Sequence, residues 1–592
     1  MLIKQFQEIL KQKNIDAYIV PTSDYHNSEY ISDYFKTRAY LSNFTGSAGT
    51  LLVTKKDAYL WADGRYHIQA AKEIPNSITL MKQGLPEVPN LIDFLKSKEA
   101  ALLTIGFDGK VVSANLGNKL KEALPGIKFK TDEDIISNIW PDRPKLPFSL
   151  LYKLDAFFTG KTFEAKLTEI VSKMKEQECN VHIISSLEDQ AWLYNMRAND
   201  IEHTPVFLSY TIVLDNQCYL FIDQRKIDKT IEKYLKDNNV IINNYEDFYS
   251  FIKLIKNQRI LVDFNKINYT TYLLIKDNNK LKNSQDPSLL LKSIKNETEI
   301  SNIKQAHIKD GVAVVKFLHY VKTKIKQINL SEISVTKVLE NFRKQQPGFI
   351  DISFNTICAY NEHAAMMHYS ANEQTNKTLK PEGFLLVDSG GHYLEGSTDI
   401  TRTICLGKPT NEMKLHYTTV LKSVIALSEA VFLKGVRGLN LDILARGPIW
   451  KLLIDYKCGT GHGIGYLLSV HEAPNGFRWQ VVPERNDSCI LQEGMITTNE
   501  PGIYLENKYG IRIENELLCI PKGKSEFGEF LGFETITYAP LDLEVIDTKL
   551  LTYEERVWID SYHKKVYDTL SPYLSETERF WLKENTKPLK IE

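Results

Sequence analysis

The sequence predicts a protein of α/β and α+β class, with two α/β domains followed by a third domain in which short strands dominate. Helical patterns and apolar strand-like runs alternate through the first half of the chain. A proline-bearing stretch, IWPDRPKLPF, separates two such α/β regions. From about residue 350 onward, short apolar runs are joined by glycine-rich turns. The predicted domains are 1–150, 151–288 and 289–592.

The first domain begins with an amphipathic pattern. Ile3, Phe6 and Leu10 recur at helical spacing, which predicts a helix. The apolar run DAYIVP follows and predicts a strand. The segment LLVTKKDAYLWADG then gives two further strands around a polar turn. A helix followed by paired strands is the start expected of an α/β domain.

The second domain repeats this mixture. A helical pattern around Ala165–Gln177 precedes the apolar run NVHIISS, and strand-like runs follow in VFLSYTIVLDNQCYLFID and RILVDF. We interpret the asparagine-rich stretch KDNNKLKNSQDP as a loop. After it, apolar residues recur at helical spacing over several turns, which indicates the opening of the third domain.

Composition excludes several classes of protein. The 592 residues carry 73 Lys+Arg against 74 Asp+Glu, and no basic stripe indicates a nucleic-acid partner. No run approaches the roughly 20 apolar residues of a membrane span, and the N-terminal stretch is too charged for a signal-peptide core. The 7 cysteines are scattered without a CxxC pair, as is typical of reduced thiols. We therefore expect a cytoplasmic protein with neither nucleic acid nor membrane as a partner.

Two aspartates occur in a pattern of paired strands. In FLLVDSGGHYLEGSTDITRTICL, apolar runs flank glycine turns, with Asp388 at the end of the first run and Asp399 in the second. If the two runs pair directly, both carboxylates can face one side of the sheet. Asp388 alone could equally be a turn-former, since aspartate is common before Ser-Gly-Gly.

Two glutamates and one histidine complete this set. Glu500 precedes Pro501-Gly502, and Glu514 lies in GIRIENELL, where polar and apolar residues alternate. For Glu514 alone, an exposed polar strand face is an equal alternative. His462 lies in GTGHGIG, where the surrounding glycines indicate a backbone that passes close to a neighbouring group.

Together, these residues indicate a metal centre. Four converging carboxylates would repel one another and raise their pKa values, and divalent cations would neutralise them. A set of several oxygen ligands and one imidazole suits a hard to borderline metal such as Mn²⁺ better than a thiolate-type zinc site. The residues therefore predict a dinuclear metal site.

The motifs that carry these residues resemble those of a known family. VDSGGHYLEGSTDITRT, GTGHGIG, VHEAP, TTNEPGIY and GIRIENE are similar to the metal-binding motifs of the pita-bread metallopeptidases, and within them of aminopeptidase P (Xaa-Pro aminopeptidase) in its long, three-domain cytosolic form. The resemblance covers nearly the whole chain. It implies two related creatinase-like α/β domains, a C-terminal pita-bread catalytic domain with an extension at about 525–592, and a homodimer.

The resemblance also implies a ligand set and a reaction. Asp388 would bind one metal ion, and His462 and Glu500 would complete the shell of the other. Asp399 and Glu514 would bridge the two ions. The ions would be Mn²⁺, with Zn²⁺ or Co²⁺ as alternatives. A hydroxide held between them would attack the bond that precedes proline in peptides with an Xaa-Pro N-terminus, and Glu500 would accept its proton.

Four more residues enter through the resemblance. His471, in VHEAP, corresponds to a histidine that contacts substrate, and His368 occupies the place of a second active-site histidine. Arg512 could hold a bridging carboxylate or be an exposed strand residue. Cys458 departs from the family, which usually has histidine there. Because a thiolate is a poor ligand for a hard metal, we interpret Cys458 as a pocket-wall residue or a packed core cysteine.

Three other functions are alternatives to that of an Xaa-Pro aminopeptidase. A prolidase, restricted to Xaa-Pro dipeptides, uses the same ligands, but the long N-terminal half and the C-terminal extension favour the aminopeptidase. A methionine aminopeptidase lacks two large preceding domains. A non-catalytic peptide-binding protein of the same fold would have lost ligands, whereas this chain has all five positions.

Overall fold

The computed structural model describes residues 2–98, 102–214, 217–482 and 488–589. Contacts between residues divide the chain into two compact units. Unit 1 comprises Met1–Ala156 and Lys161–Leu289, and unit 2 comprises Phe157–Gly160 and Leu290–Glu592. Among the described residues, none of the helices combines the length and the hydrophobicity needed to cross a membrane.

Helices and strands follow one another along the whole of the described chain. The α-helices are α1 (Leu2–Gln12), α2 (Thr37–Ser42), α3 (His67–Glu73), α4 (Leu91–Ser97), α5 (Ala114–Ala123), α6 (Ala156–Thr159), α7 (Phe163–Glu176), α8 (Leu187–Leu193), α9 (Lys229–Asp237), α10 (Phe248–Ile252), α11 (Tyr269–Ile275), α12 (Pro287–Ser293), α13 (Glu297–Lys324), α14 (Glu332–Lys344), α15 (Asn411–Ser428), α16 (Gly438–Trp450), α17 (Tyr553–Leu570) and α18 (Glu576–Asn585). The strands are β1 (Ala17–Pro21), β2 (Thr50–Thr54), β3 (Ala58–Ala62), β4 (Thr79–Lys82), β5 (Thr104–Gly106), β6 (Lys128–Lys130), β7 (Tyr152–Lys153), β8 (Val181–Ile184), β9 (Met196–Arg197), β10 (Ser209–Leu214), β11 (Gln217–Ile222), β12 (Ile241–Asn244), β13 (Arg259–Val262), β14 (Lys280–Asn283), β15 (Phe349–Ile352), β16 (Ile357–Tyr360), β17 (Phe384–Ser389), β18 (Gly391–Tyr393), β19 (Gly396–Ser397), β20 (Ile400–Cys405), β21 (Val431–Leu433), β22 (Gly461–Gly463), β23 (Glu472–Phe477), β24 (Ile496–Asn499), β25 (Gly502–Leu505), β26 (Tyr509–Arg512), β27 (Asn515–Ser525) and β28 (Gly528–Thr535).

Unit 1 contains two six-stranded sheets of the same topology. Their strand orders are β4-β3-β2-β1-β5-β6 and β12-β11-β10-β8-β13-β14. In each sheet, two antiparallel pairings at the centre are flanked by parallel ones. The helix predicted from Ile3, Phe6 and Leu10 is α1, which buries those three side chains. The prediction of two related α/β folds in the first half of the chain is confirmed.

One prediction in unit 1 is wrong. Part of the asparagine-rich stretch interpreted as a loop forms β14, which pairs in parallel with β13 over Lys280–Asn283. The strand lies at the sheet edge and its side chains are mostly exposed, so no apolar alternation marks it in the sequence.

A buried histidine of unit 1 gives a pH prediction. His26 Nδ1 lies 2.9 Å from Ser185 O and Nε2 lies 2.8 Å from Tyr245 Oη. Burial lowers the pKa of His26 from 6.5 to about 3. Between these two pKa values, His26 binds a proton in the unfolded chain but not in the folded chain. The stabilisation of the folded state is therefore complete above pH 6.5 and is lost as the pH falls towards the folded-state pKa of about 3.

We expect His26 to make the free energy of unfolding of unit 1 fall by about 1.4 kcal/mol per pH unit in this range. Urea unfolding of the full chain at about pH 7 and about pH 5 measures the effect. In His26→Gln, the free energy of unfolding should fall less between these two pH values, because the contribution of His26 is absent. An unchanged pH dependence in the variant would show that His26 is not responsible.

Unit 2 is built mainly from antiparallel strands, with helices against them. Its six-stranded sheet has the order β21-β28-β27-β24-β22-β23, and a three-stranded sheet has the order β16-β17-β20. Val424 of α15, Ile511 of β26 and Ile559 of α17 belong to one hydrophobic core. Each such buried side chain contributes about 1.5–3 kcal/mol. The predicted α+β class of this part is confirmed, and its strands present the candidate site.

Candidate metal centre

The first two carboxylates are placed by the pairing of β17 with β20. Asp388 pairs with Thr401 in this antiparallel ladder, and Asp399 directly precedes β20. Asp399 lies two residues before Thr401, so the Asp388 and Asp399 side chains belong to the same face. The two strands pair as expected, but they are not a simple hairpin, because β18 and β19 between them belong to another sheet.

The two glutamates lie at strand ends. Glu500 follows β24, and its N–H donates to Thr460 O at 2.8 Å. Glu514 lies between β26 and β27. Its N–H donates to Thr401 O at 3.1 Å, and its Oε2 accepts from Thr401 Oγ1 at 2.7 Å. Glu514 is only 1% exposed. The alternative of an exposed polar face is therefore wrong, because this segment is covered on both sides.

His462 lies at the middle of β22, between two neighbouring strands. A Cβ atom at Gly461 would lie 1.8 Å from Thr498 O, and one at Gly463 would lie 2.3 Å from Glu472 O. These glycines are therefore required by the close approach of neighbouring backbones. The His462 Nδ1 atom lies 3.1 Å from the carbonyl oxygens of both Gly463 and Val470. Nδ1 must carry a hydrogen, which directs Nε2 towards the carboxylates.

The side chains converge on one point. Ligand atoms of Asp399, His462 and Glu514 all lie within 4.8 Å of one another. His462 Nε2 is 3.2 Å from Glu500 Oε1 and 3.6 Å from Asp399 Oδ2. The fourth carboxylate, Asp388, interacts electrostatically with Glu500 and Glu514. The structure thus brings together the five residues that the sequence predicts as ligands.

The electrostatics of this cluster favour a cation. Burial, together with the neighbouring carboxylates, raises the pKa values of Asp388, Asp399 and Glu514. Burial also acts to raise the pKa of Glu500, but the hydrogen bond and charge of His462, together with the charges of Arg512 and His471, outweigh it and lower that pKa to about 2. Conversely, that contact raises the pKa of His462 to about 9 against the effect of burial. A proton therefore occupies the place between imidazole and carboxylate that a metal ion would take.

The donor set fits a hard divalent cation. Asp388 Oδ1 is a buried oxygen without a hydrogen-bond partner among the described residues. Several buried carboxylate oxygens and one imidazole nitrogen with an oriented lone pair are the ligands that Mn²⁺ and similar ions prefer. The residues present therefore fit a metal centre.

Arg512 joins the cluster to its surroundings. Its guanidinium forms an ion pair with Asp388, donates from Nε to Thr401 Oγ1 at 3.1 Å, and donates from Nη1 to Tyr504 Oη at 2.7 Å. Arg512 is 2% exposed, so the alternative of an exposed strand residue is wrong. Sequence reasoning missed Thr401 and Tyr504. Thr401 lies two residues after Asp399, and Tyr504 lies four residues after Glu500. This closeness in sequence to a predicted ligand is the only signal that could have found them.

One of the two predicted substrate histidines, His471, lies beside this cluster. The ring centroids of His471 and His462 are 4.3 Å apart, with the planes at 83°. His368 follows Met367, whose carbonyl oxygen lies 3.5 Å from Arg512 Nη2. The main chain directly before His368 therefore reaches the arginine that pairs with Asp388.

Cys458 lies at the edge of the same region. It is partly buried against the core of unit 2, and its carbonyl oxygen accepts from Arg446 Nη2 at 3.1 Å. Burial and the nearby Glu500 carboxylate raise the pKa of its thiol to about 11. The thiol is thus neutral near pH 7 in the metal-free protein, as expected of a packed wall residue.

Comparison with known families assigns most of the chain. Residues 301–521 match Metallopeptidase family M24, and residues 529–589 match the C-terminal region of peptidase M24. Residues 3–139 and 142–299 each match the Creatinase/Prolidase N-terminal domain.

Full-length relatives are also found. "Xaa-Pro aminopeptidase 1" of Dictyostelium discoideum is 36% identical, over 99% of this chain and 96% of its own. "Probable Xaa-Pro aminopeptidase P" of Talaromyces marneffei is 35% identical, over 99% of this chain and 92% of its own. A crystal structure of X-prolyl aminopeptidase from Caenorhabditis elegans, described as a cytosolic enzyme with a di-nuclear active site, has a TM-score of 0.92 at 32% identity and covers 97% of this chain and 95% of that one.

Proposed function

Because the chain belongs to the Xaa-Pro aminopeptidase P family of M24 metallopeptidases, we propose that it releases the N-terminal residue from peptides with proline in the second position. The observation that carries this proposal is the cluster of buried carboxylates around His462 Nε2. The full-length match to proteins named Xaa-Pro aminopeptidase favours this activity over that of a prolidase, since the match includes both N-terminal domains and the C-terminal extension.

We propose that the cluster holds two divalent metal ions. Its oxygen-rich donor set favours Mn²⁺, with Zn²⁺ or Co²⁺ as alternatives. When bound, such ions supply a Lewis acid that lowers the pKa of water and stabilises negative charge on the scissile carbonyl. The proposed ligands are Asp388, Asp399, His462, Glu500 and Glu514.

The protein's own groups then have separate roles. We propose that Glu500 accepts the proton of the attacking water. It is ionised, because its interactions with His462, Arg512 and His471 outweigh burial and lower its pKa. His471 and His368 contact the substrate beside the cleaved bond. Arg512 fixes the orientation of Asp388 through its ion pair and its bonds to Thr401 and Tyr504.

The domain organisation, the oligomeric state and the cellular location are also part of the proposal. We propose the domains 1–150, 151–288 and 289–592, with an extension at about 525–592, and a homodimer. A cytoplasmic location is supported by the description of the nematode relative as cytosolic. Cys458 is proposed to line the pocket without binding metal.

A tripeptide assay tests the proposed function. We expect the Mn²⁺-loaded protein to release free arginine from Arg-Pro-Pro, because an aminopeptidase accepts chain beyond the proline. Arg-Pro is the matched dipeptide, and Arg-Ala-Pro is the control for the requirement at the second position. Hydrolysis restricted to Arg-Pro would identify a prolidase. A fully loaded protein that cleaves neither peptide would support a peptide-binding role.

A further inference from the structure

A buried side-chain pair outside the proposed ligand set contacts the main chain of one ligand. Glu516 Oε1 accepts from the N–H of Asp399 at 2.8 Å. The same oxygen lies 3.1 Å from His307 Nε2. Both side chains are buried, with Glu516 at 0% and His307 at 3% exposure. Glu516 therefore connects the long helix α13 with the residue that precedes β20.

The histidine of this pair is itself held in place. His307 lies on α13, and its Nδ1 atom is 2.8 Å from Ile303 O, one turn earlier on the helix. A carbonyl oxygen can only accept, so Nδ1 carries a hydrogen and Nε2 faces Glu516. The imidazole is thus held at Nδ1 by α13, and Glu516 lies within ion-pair distance of its Nε2.

We propose that His307 and Glu516 are positioning residues that hold the backbone of Asp399 and thereby set the affinity of the metal centre. The inference rests on the proposed function, and it deepens it by naming residues outside the proposed ligand set. Asp399 belongs to the group of ligand atoms that lie within 4.8 Å of one another. A turn of its backbone moves its carboxylate relative to His462 and Glu514, so loss of the Glu516 acceptor loosens the site before any metal binds.

The size of the effect follows from other metal sites. Groups that orient ligands typically change metal affinity or activity by about 10–100-fold when they are removed. Glu516→Ala removes the oxygen that accepts from the Asp399 N–H, and His307→Ala removes the imidazole that contacts this oxygen. Glu516→Gln retains an oxygen for the Asp399 N–H and is the conservative variant.

The test is a Mn²⁺ titration of the metal-free full-length protein, with thermal unfolding of the same samples. We expect the Kd for Mn²⁺ to rise about 10–100-fold in Glu516→Ala and about 10-fold in His307→Ala, with most of the loss restored in Glu516→Gln. If Glu516→Ala does not fold, His307→Ala and Glu516→Gln carry the comparison.

Tyr393→Phe is the matched control. Tyr393 Oη donates to Asp310 of α13 at 2.8 Å, so the variant breaks another buried polar contact of the same helix. It should change the Kd by less than about twofold, within ordinary scatter for a distant site. A wild-type Kd in folded Glu516→Ala and His307→Ala, or an equal loss in Tyr393→Phe, would overturn the proposal. Because the titration uses no substrate, it is independent of whether wild-type protein cleaves Arg-Pro-Pro.

Discussion

Glu514→Ala is expected to abolish both metal uptake and peptide hydrolysis. Glu514 is buried, accepts from Thr401 Oγ1, and supplies one of the three ligand atoms within 4.8 Å of one another. Its removal leaves Asp399 and His462 without the oxygen proposed to bridge the two ions. The loss of Mn²⁺ affinity and of kcat/KM should exceed the roughly 100-fold limit seen for groups that only orient ligands. Asp388→Ala should behave in the same way.

Cys458→Ala is the matched control for this prediction. Cys458 lies near the same carboxylates, as the effect of Glu500 on its thiol pKa shows, but it is outside the proposed ligand set. We expect its metal content to equal that of the wild type when both are measured by elemental analysis. Full metal loading in Glu514→Ala, or loss of metal in Cys458→Ala, would contradict the proposed ligands.

Arg512→Lys is expected to shift metal uptake to higher pH. The Arg512 guanidinium acts to lower the pKa of Asp388, against the larger effect of burial. A lysine keeps one charge but cannot reproduce the planar contacts to Asp388, Thr401 and Tyr504. The Asp388 carboxylate then forms only at higher pH, and the metal competes with a proton up to that pH.

Mn²⁺ binding measured across a pH series tests this prediction. At a fixed pH near neutrality we expect a loss in affinity of about 10–100-fold, which diminishes as the pH rises. Arg446→Lys is the control, because Arg446 is equally buried and pairs with Asp442 outside the carboxylate cluster. An unchanged pH profile in Arg512→Lys would show that the guanidinium does not control Asp388.

The elements that sequence reasoning found show either a helical stripe or a short apolar run. Helix α1 shows clear periodicity because one side packs and the other is more exposed, whereas β1, β2 and β3 are apolar runs that are buried along most of their length. Helix α15 was missed. It is buried on most of its surface, so its apolar residues do not form a single stripe. Residues 215–216, between β10 and β11, lie outside the described residues.

The site shows the same limit. Motif order and residue type were enough to select the five proposed ligands, yet alternation around Arg512 and Glu514 allowed an exposed face. That segment is covered on both sides by parts of unit 2 that are distant in sequence, so the local sequence pattern does not show that it is buried. The contact of Glu516 with Asp399 joins residues 117 positions apart, so only the folded structure reveals it. Likewise, Gly461 and Gly463 were read correctly as sites of close approach, but what approaches is the backbone of neighbouring strands.

The most direct test of the central claim is to count metal ions against activity. Metal-free protein is titrated with Mn²⁺ while bound metal and release of arginine from Arg-Pro-Pro are measured together. The five proposed ligands predict that activity is absent without metal and reaches its maximum at two ions per chain. Full hydrolysis by metal-free protein, or a maximum reached with a single ion per chain, would contradict a dinuclear aminopeptidase.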